Sequence, residues 1–194
     1  PWAMWLRYGR KPINALPWVG QGRLLDYGFG YPKFMALQED RGWQVTGIDF
    51  NETIVNEIRS QNMFEVAAGT WPGEAFADRQ FDVITAWHVL EHHEAPVQWV
   101  KFAADRLAPG GYLLIACPDV DSWGYRWFAE HWFGLDVPRH FQHFTKDQLC
   151  TLCEQAGLHV ERVRGQVRPT PLRRSAVNKA RRTGSTRWKF LSRR

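Results

Sequence analysis

Cysteine is scarce in this 194-residue chain: Cys117, Cys150 and Cys153 are all there are. Their spacing builds no disulfide framework, which makes a reducing, cytoplasmic setting the default expectation. No apolar run approaches the ~20 residues of a membrane-spanning helix, and the N-terminus lacks the apolar core of a signal peptide. The chain opens on Pro1 without an initiating methionine, which fits a fragment or a processed product, so its ends carry little weight. Internal repeats and low-complexity stretches are also missing before residue 165. What is present is a body with 44% hydrophobic residues, enough for one domain with a sizeable core.

Acidic residues are nearly absent from the C-terminal end. Residues 161–194 hold twelve Lys or Arg against Glu161 alone, a net of +11, while the first 160 residues hold thirteen against nineteen, a net of −6. The overall +5 therefore joins a mildly acidic body to a basic tail. Such a tail can meet an anionic membrane or nucleic acid, and equally can be a solvated end.

From residue 23 onward, β-type runs alternate with helix-length segments. The strands are "RLLDY" (23–27), "QVTGID" (44–49), "FEVAAG" (64–69), "FDVITAW" (81–87), "YLLIAC" (112–117) and "LHVERVR" (158–164). Helices are expected near 32–41 and 52–61. A third starts at Pro96, with Val97, Val100, Ala104 and Leu107 as its apolar stripe, and stops at "PGG" (109–111). A fourth starts at "TKDQ" (145–148), which has the form of a capping box, and ends near Gly157. Nearly continuous apolar strands alternating with helices predict a Rossmann-like, doubly wound, mostly parallel sheet in three α/β/α layers. No seventh strand is evident after residue 164. Residues 1–19 read as an N-terminal extension, 20–164 as the domain, 118–144 as an aromatic lid inserted in it, and 165–194 as the tail.

Ligands of such sheets bind beyond the carboxyl ends of the strands, at the switch point. There the stretch "LLDYGFGYPKF" (24–34) places Gly28 and Gly30 between a strand and a helix, and Asp49 ends the next strand, where a carboxylate can accept both hydroxyls of a ribose. A nucleoside cofactor is implied. A dinucleotide would bring a pyrophosphate, which Asp26 would repel and for which Pro32 lacks an N–H. S-adenosyl-L-methionine brings a sulfonium and an ammonium, for which Asp26 is an attractive neighbour. The plainer reading, in which Asp26 only bonds the turn, is weakened by Asp49.

With "LLDYGFG", "VTGIDFN", "FDVITAWHVLEHHEAP", "LAPGGYLLIACPD" and "DVPRHFQHFTKDQLCTLCEQAGL" in this order, the sequence resembles class I S-adenosylmethionine-dependent methyltransferases over about residues 20–164. The subgroup it is most similar to includes ubiquinone-biosynthesis and sugar or secondary-metabolite methyltransferases. The resemblance implies that Asp26, Gly28 and Gly30 surround the methionine part of the cofactor, that Asp49 holds the ribose, and that Phe50, Gly69, Thr70 and Trp71 border the adenine. Trp87 and His88 then approach the methionine part from the other side. Phe29 stands where relatives commonly have a small residue or cysteine, and it and Pro32 are expected to narrow the methionine side.

Methyl transfer needs alignment more than acid–base chemistry, because the electrophile comes with the cofactor. A base is required only where the acceptor must lose a proton, and His140, His88 and His143 are the candidates, with His140 equally readable as a structural histidine bonded to the lid backbone. Glu91, His92 and His93 crowd beside His88. The resembling subgroup includes members that use a Glu and a His of this block for a divalent ion, but His88 replaces the first acid of that pattern, so these residues are assigned to loop structure and no metal site is expected. Trp123, Tyr125, Trp127, Phe128, Trp132 and Phe133 are expected to roof an acceptor pocket or, alternatively, only to form a satellite core, with Arg139 bound to an anionic acceptor or paired with Asp136. "CTLC" (150–153) lies inside a helix, lacks a second pair and is assigned to packing.

The expected reaction is methyl transfer to an oxygen or nitrogen of a small-molecule or glycan/lipid-linked acceptor. The alternatives are a nucleic-acid-directed methyltransferase or an inactive binding module using the tail, and an NAD-dependent oxidoreductase. The last is opposed by Asp26 and by the absence of a Tyr-x-x-x-Lys pair; "AWHVLEH" at strand 4 departs from the Asn/Asp-Pro-Pro-aromatic sequence of amino-group base methyltransferases. A ligand that binds only the folded state raises its melting temperature. S-adenosylhomocysteine is expected to raise it in a thermal-shift assay and NADH to leave it unchanged; the reverse would exclude the methyl-transfer reading.

Overall fold

Seven strands form one sheet in the order β4-β3-β2-β5-β6-β1-β7. They are β1 (Trp2–Leu6), β2 (Arg23–Tyr27), β3 (Gln44–Asp49), β4 (Glu65–Ala68), β5 (Phe81–Trp87), β6 (Leu107–Ala116) and β7 (Leu158–Val163). The computed structural model describes residues 2–6, 16–69, 75–165 and 169–183, with only the backbone given for 2–6. Every pairing is parallel. Six strands are those expected, and β1 is an addition: a segment read as an extension inserts between β6 and β7.

Side chains alternate across the sheet, as parallel strands covered on both faces require. Leu25, Tyr27, Ile84, Ala86, Leu113 and Ile115 face one core, which α3 (Pro96–Arg106) and α5 (Lys146–Gln155) complete with Trp99, Val100, Leu149 and Leu152. Leu24, Val83 and Leu114 face the other. On that side Phe29, Met35, Val55 and Ile58 gather around α1 (Lys33–Glu39) and α2 (Glu52–Ser60). Two helix starts follow their caps: Asn51 Oδ1 accepts the N–H groups of Thr53 and Ile54, and Thr145 and Gln148 form the reciprocal capping box.

The apolar stripe of α3 is rotated from the expected one. Trp99, Val100 and Ala103 are buried and Val97 is exposed, because burying the large indole of Trp99 against Tyr27, with ring centroids 5.1 Å apart, outweighs the smaller Val97. The stop at "PGG" also gives way: β6 runs through it from Leu107. Residues 118–144 fold into α4 (Trp123–Phe128) and short 3-10 turns, and an isolated parallel bridge between Asp119 and Phe144 joins the two ends of the segment to each other. Part of the region read as a tail forms a helix, α6 (Pro169–Thr183), whose inner side meets the lid through Ala176, Phe128 and Trp132.

At the start of β5, buried Asp82 holds the entry to β2. Its carboxylate accepts the Gln21 and Arg23 N–H groups at 3.0 and 2.9 Å and takes the Arg23 guanidinium through both oxygens, at 3.1 and 2.9 Å. Removing the carboxylate strands these donors, so Asp82→Ala is expected to lower the unfolding free energy by about 2 kcal/mol in urea titrations, with no change in cofactor affinity.

Candidate functional site

The switch point lies between β2 and β5, where their connections leave in opposite directions. Asp26, 1% exposed, sits there opposite Thr85, whose hydroxyl donates to Asp26 Oδ1 at 2.6 Å. Burial pushes the Asp26 carboxyl up to about 7; the Thr85 bond opposes this and the charge of Asp49 adds to it. The next residues turn sharply. Gly28 has φ of 71°, its N–H donates to the Ile48 carbonyl at 2.7 Å, and a Cβ there would come within 2.4 Å of Val89. No residue but glycine suits both constraints.

Asp49 binds two loops together. Its Oδ2 accepts the Gly30 N–H and its Oδ1 the Asn51 N–H, each at 2.8 Å. A carboxylate has about four acceptor directions, so lone pairs remain for a diol. A Cβ on Gly30 would meet open space, leaving room for a ligand beside the loop. Phe50 is exposed directly after Asp49, and the Gly69 N–H donates to the Asp49 carbonyl at 2.9 Å, so the fold gathers Asp26, Gly28, Gly30, Asp49, Phe50 and Gly69 at one edge. Thr70 and Trp71 lie outside the described residues. Phe29 departs from its expected place. It is buried with Met35 and Val55, in the space left by Gly47, where a Cβ would lie 2.6 Å from its ring, and so it anchors the loop from beneath.

Trp87 turns toward the opposite core, 5.6 Å from the Phe34 ring, with its indole N–H buried and unpartnered among the described residues. His88 leaves the strand with φ of 57° and stays half-exposed, its Nδ1 3.2 Å from Oε1 of Glu91. Glu91 is buried, and its Oε2 has no hydrogen-bond partner among the described residues. Two more imidazoles converge on it. His92 Nδ1 donates to the Arg139 carbonyl at 2.8 Å and His140 Nδ1 to the Gly134 carbonyl at 2.9 Å, which leaves the Nε2 lone pair of each ring free when neutral. Ligand atoms of Glu91, His92 and His140 all lie within 4.8 Å of one another. Imidazoles oriented by backbone carbonyls beside a carboxylate are able to hold a divalent ion or to accept a proton. The assignment of these residues to loop structure thus gives only half of the picture: the Glu91 carbonyl does fix the loop, accepting from Phe141 and Gln142, while the side chains meet. His140 comes from a segment 48 residues away, a proximity with no local signal.

Beside this cluster opens a cavity of about 790 Å³ whose wall includes His88, Glu91, Asp136 and His140 at its polar end. Of the six aromatic residues expected as its roof, Trp123, Trp132 and Phe133 line it. Phe128 is buried against Ala176, and Trp127 and Tyr125 face solvent. Burial lowers the tendency of His140 to protonate, and its neighbour His92 works in the same direction, against the Gly134 bond and the charges of Glu91 and Asp136. His143 donates from Nε2 to the Leu135 carbonyl at 2.9 Å, and it is not part of the cavity wall. Arg139 pairs with Asp136 at 2.8 Å. Cys150 and Cys153 lie within α5, and burial pushes both thiols up, as packing residues.

A family described as a methyltransferase domain matches residues 9–163. The chain belongs to this methyltransferase-domain family. Similar curated proteins include the ubiquinone biosynthesis O-methyltransferase of Idiomarina loihiensis, 28% identical over 75% of this chain and 65% of that protein. The one from Aromatoleum aromaticum is 29% identical over 80% of this chain and 76% of its own length. The chain thus spans about two thirds to three quarters of these relatives. Among solved structures, a SAM-dependent methyltransferase from Thermotoga maritima superposes with a TM-score of 0.58 at 22% identity, covering 72% of this chain and 65% of the other. One from Archaeoglobus fulgidus gives 0.58 at 22%, covering 71% and 61%. The methyltransferase domain accordingly has the Rossmann-like α/β fold that the strand-helix alternation predicts.

Within this methyltransferase domain, Asp26 carries a pH dependence of known sign. Its folded value lies above the ordinary 3.8, so the stability it contributes is complete below that pH and is lost as pH rises through about 7. Asp26→Asn removes the titration. In urea titrations without ligand, the midpoint of the wild type is expected to fall relative to the variant between pH 4 and 7 and to level off above; parallel curves would contradict the burial of an ionisable carboxyl.

Proposed function

We propose that the chain catalyses methyl transfer from S-adenosyl-L-methionine to an oxygen or nitrogen of a small-molecule or glycan/lipid-linked acceptor. The observation that carries this reading is the pair of buried carboxylates, Asp26 and Asp49, at the switch point of a methyltransferase domain, beside a glycine loop with open space at Gly30. The fit is chemical. Asp26, costly to ionise in its buried place, gains from a neighbouring cation, and Asp49 retains acceptor directions for a ribose. In this reading Gly28 and Gly30 flank the methionine part, Phe50 and Gly69 border the adenine, and Trp87 and His88 close the other side. When bound, the cofactor supplies a methyl group on positively charged sulfur.

The acceptor then occupies the cavity under the lid, which excludes water from the reacting atoms. His140, neutral and with Nε2 beside Glu91 and 3.8 Å from Asp136 Oδ2, takes the acceptor proton, which the Asp136 carboxylate then stabilises; His88, held by Glu91, borders the two ligands. His143 is not retained in this role, since the Leu135 carbonyl occupies its Nε2. The O-methyltransferase names of the curated relatives support an oxygen acceptor.

Asp49→Ala is expected to weaken S-adenosylhomocysteine binding by roughly 1–3 kcal/mol in titration calorimetry, through loss of charge-assisted bonds; unchanged affinity would refute the ribose assignment. With an acceptor in hand, His140→Ala is expected to lower kcat by about 10²–10⁴-fold while cofactor affinity stays the same.

A further inference from the structure

Helix α6 carries Arg173, Arg174, Lys179, Arg181 and Arg182 and no acidic residue. Its inner stripe, Leu172, Ser175, Ala176 and Ala180, faces the protein, with Ser175 Oγ accepting the Phe133 N–H at 2.8 Å and Ala176 packed on Phe128 and Trp132. Lys179 also turns inward, donating to the Trp127 carbonyl at 3.3 Å. The four arginines are left on the exposed side, Arg174 lying over the Phe133 ring at 4.7 Å. Nearby acids are few: Glu130 lies beside His131 and feels the charges of Arg182 and Lys179, and Asp121 is paired with Arg126, which leaves Arg173, Arg174 and Arg181 without an ion pair among the described residues.

Next to this cationic face, α4 leaves large indoles in water. Trp123 is 53% exposed and Trp127 46%, with their rings edge-on at 4.5 Å. Half-exposed tryptophans beside arginines form the combination that suits a lipid interface, where an amphipathic ring sits at headgroup depth and the cations meet lipid phosphates. The cavity adjoins both helices, since Trp123 and Leu172 share its wall. Among the described residues no helix is long and apolar enough to cross a membrane. We propose that the α4–α6 face docks peripherally on an anionic lipid bilayer, bringing the wall of the acceptor cavity against the membrane surface. A nucleic acid fits the same charge less well: the two indoles pack on each other instead of standing apart as stacking platforms, and the adjoining cavity is apolar where a phosphodiester chain would lie.

The test is cosedimentation of the full chain with phosphatidylglycerol-containing vesicles and with pure phosphatidylcholine vesicles, alongside anisotropy titrations of single-stranded and duplex DNA. Binding is expected to the anionic vesicles, with little to the neutral ones, and to weaken as salt is raised. The combined Arg173→Gln, Arg174→Gln, Arg181→Gln and Arg182→Gln variant is expected to bind at least ~10-fold more weakly. Arg181→Gln with Arg182→Gln alone, placed at the end of the helix, provides a milder variant, and Trp127→Ser removes an indole without touching the cavity wall. Both are expected to lose affinity while retaining cooperative unfolding. Equal binding to neutral and anionic vesicles, affinity unchanged by the arginine substitutions, or tighter DNA binding lost with the same arginines would each overturn the proposal.

Discussion

A carboxyl group buried at the centre of a parallel sheet must find a partner, stay protonated or meet a cation, and Asp26 is in that position. Thr85 supplies one hydrogen bond across the β2–β5 pairing and no positive charge. The surrounding backbone is arranged about it. The chain turns at Gly28 directly after β2, and Asp49 draws the loop after β2 and the loop after β3 into contact through single hydrogen bonds to Gly30 and Asn51. Two acidic side chains thus stand close together with little to neutralise them, an arrangement that favours a ligand carrying positive charge and hydroxyl groups.

The elements that depend on local chemistry were legible in the chain. Pro96 and the Thr145–Gln148 box begin helices where ring and side chains dictate, and six strands follow from short apolar runs. What was not legible depends on distant packing. The buried face of α3 is set by where Trp99 finds Tyr27, which periodicity cannot report when a large indole competes with a valine. Phe29 reads as an obstruction in the loop and is instead a core residue, because Gly47, eighteen residues later, makes room for it. β1 carries too few residues to announce its place between two strands that lie more than a hundred positions further on.

The candidate site divides in the same way. Asp26, Gly28, Gly30 and Asp49 are read directly from a loop and a strand end, since their function follows from position in the sheet. The cluster of Glu91, His92 and His140 is assembled by the return of the lid to the sheet, where the Glu91 carbonyl accepts two N–H groups from Phe141 and Gln142. Histidines in a sequence show only that such chemistry is available. Their tautomers, and so their uses, are set by which carbonyl each ring finds, and that distinguishes His140, open at Nε2, from His143, closed there.

The family match ends at residue 163, yet the cavity wall continues through Arg164, Gly165, Thr170, Pro171 and Leu172. The seat read for the cofactor is built wholly from the shared portion, whereas the seat read for the acceptor is finished by chain that the family does not define. Substitutions at these residues would reshape that wall while leaving the loops held by Asp26 and Asp49 untouched.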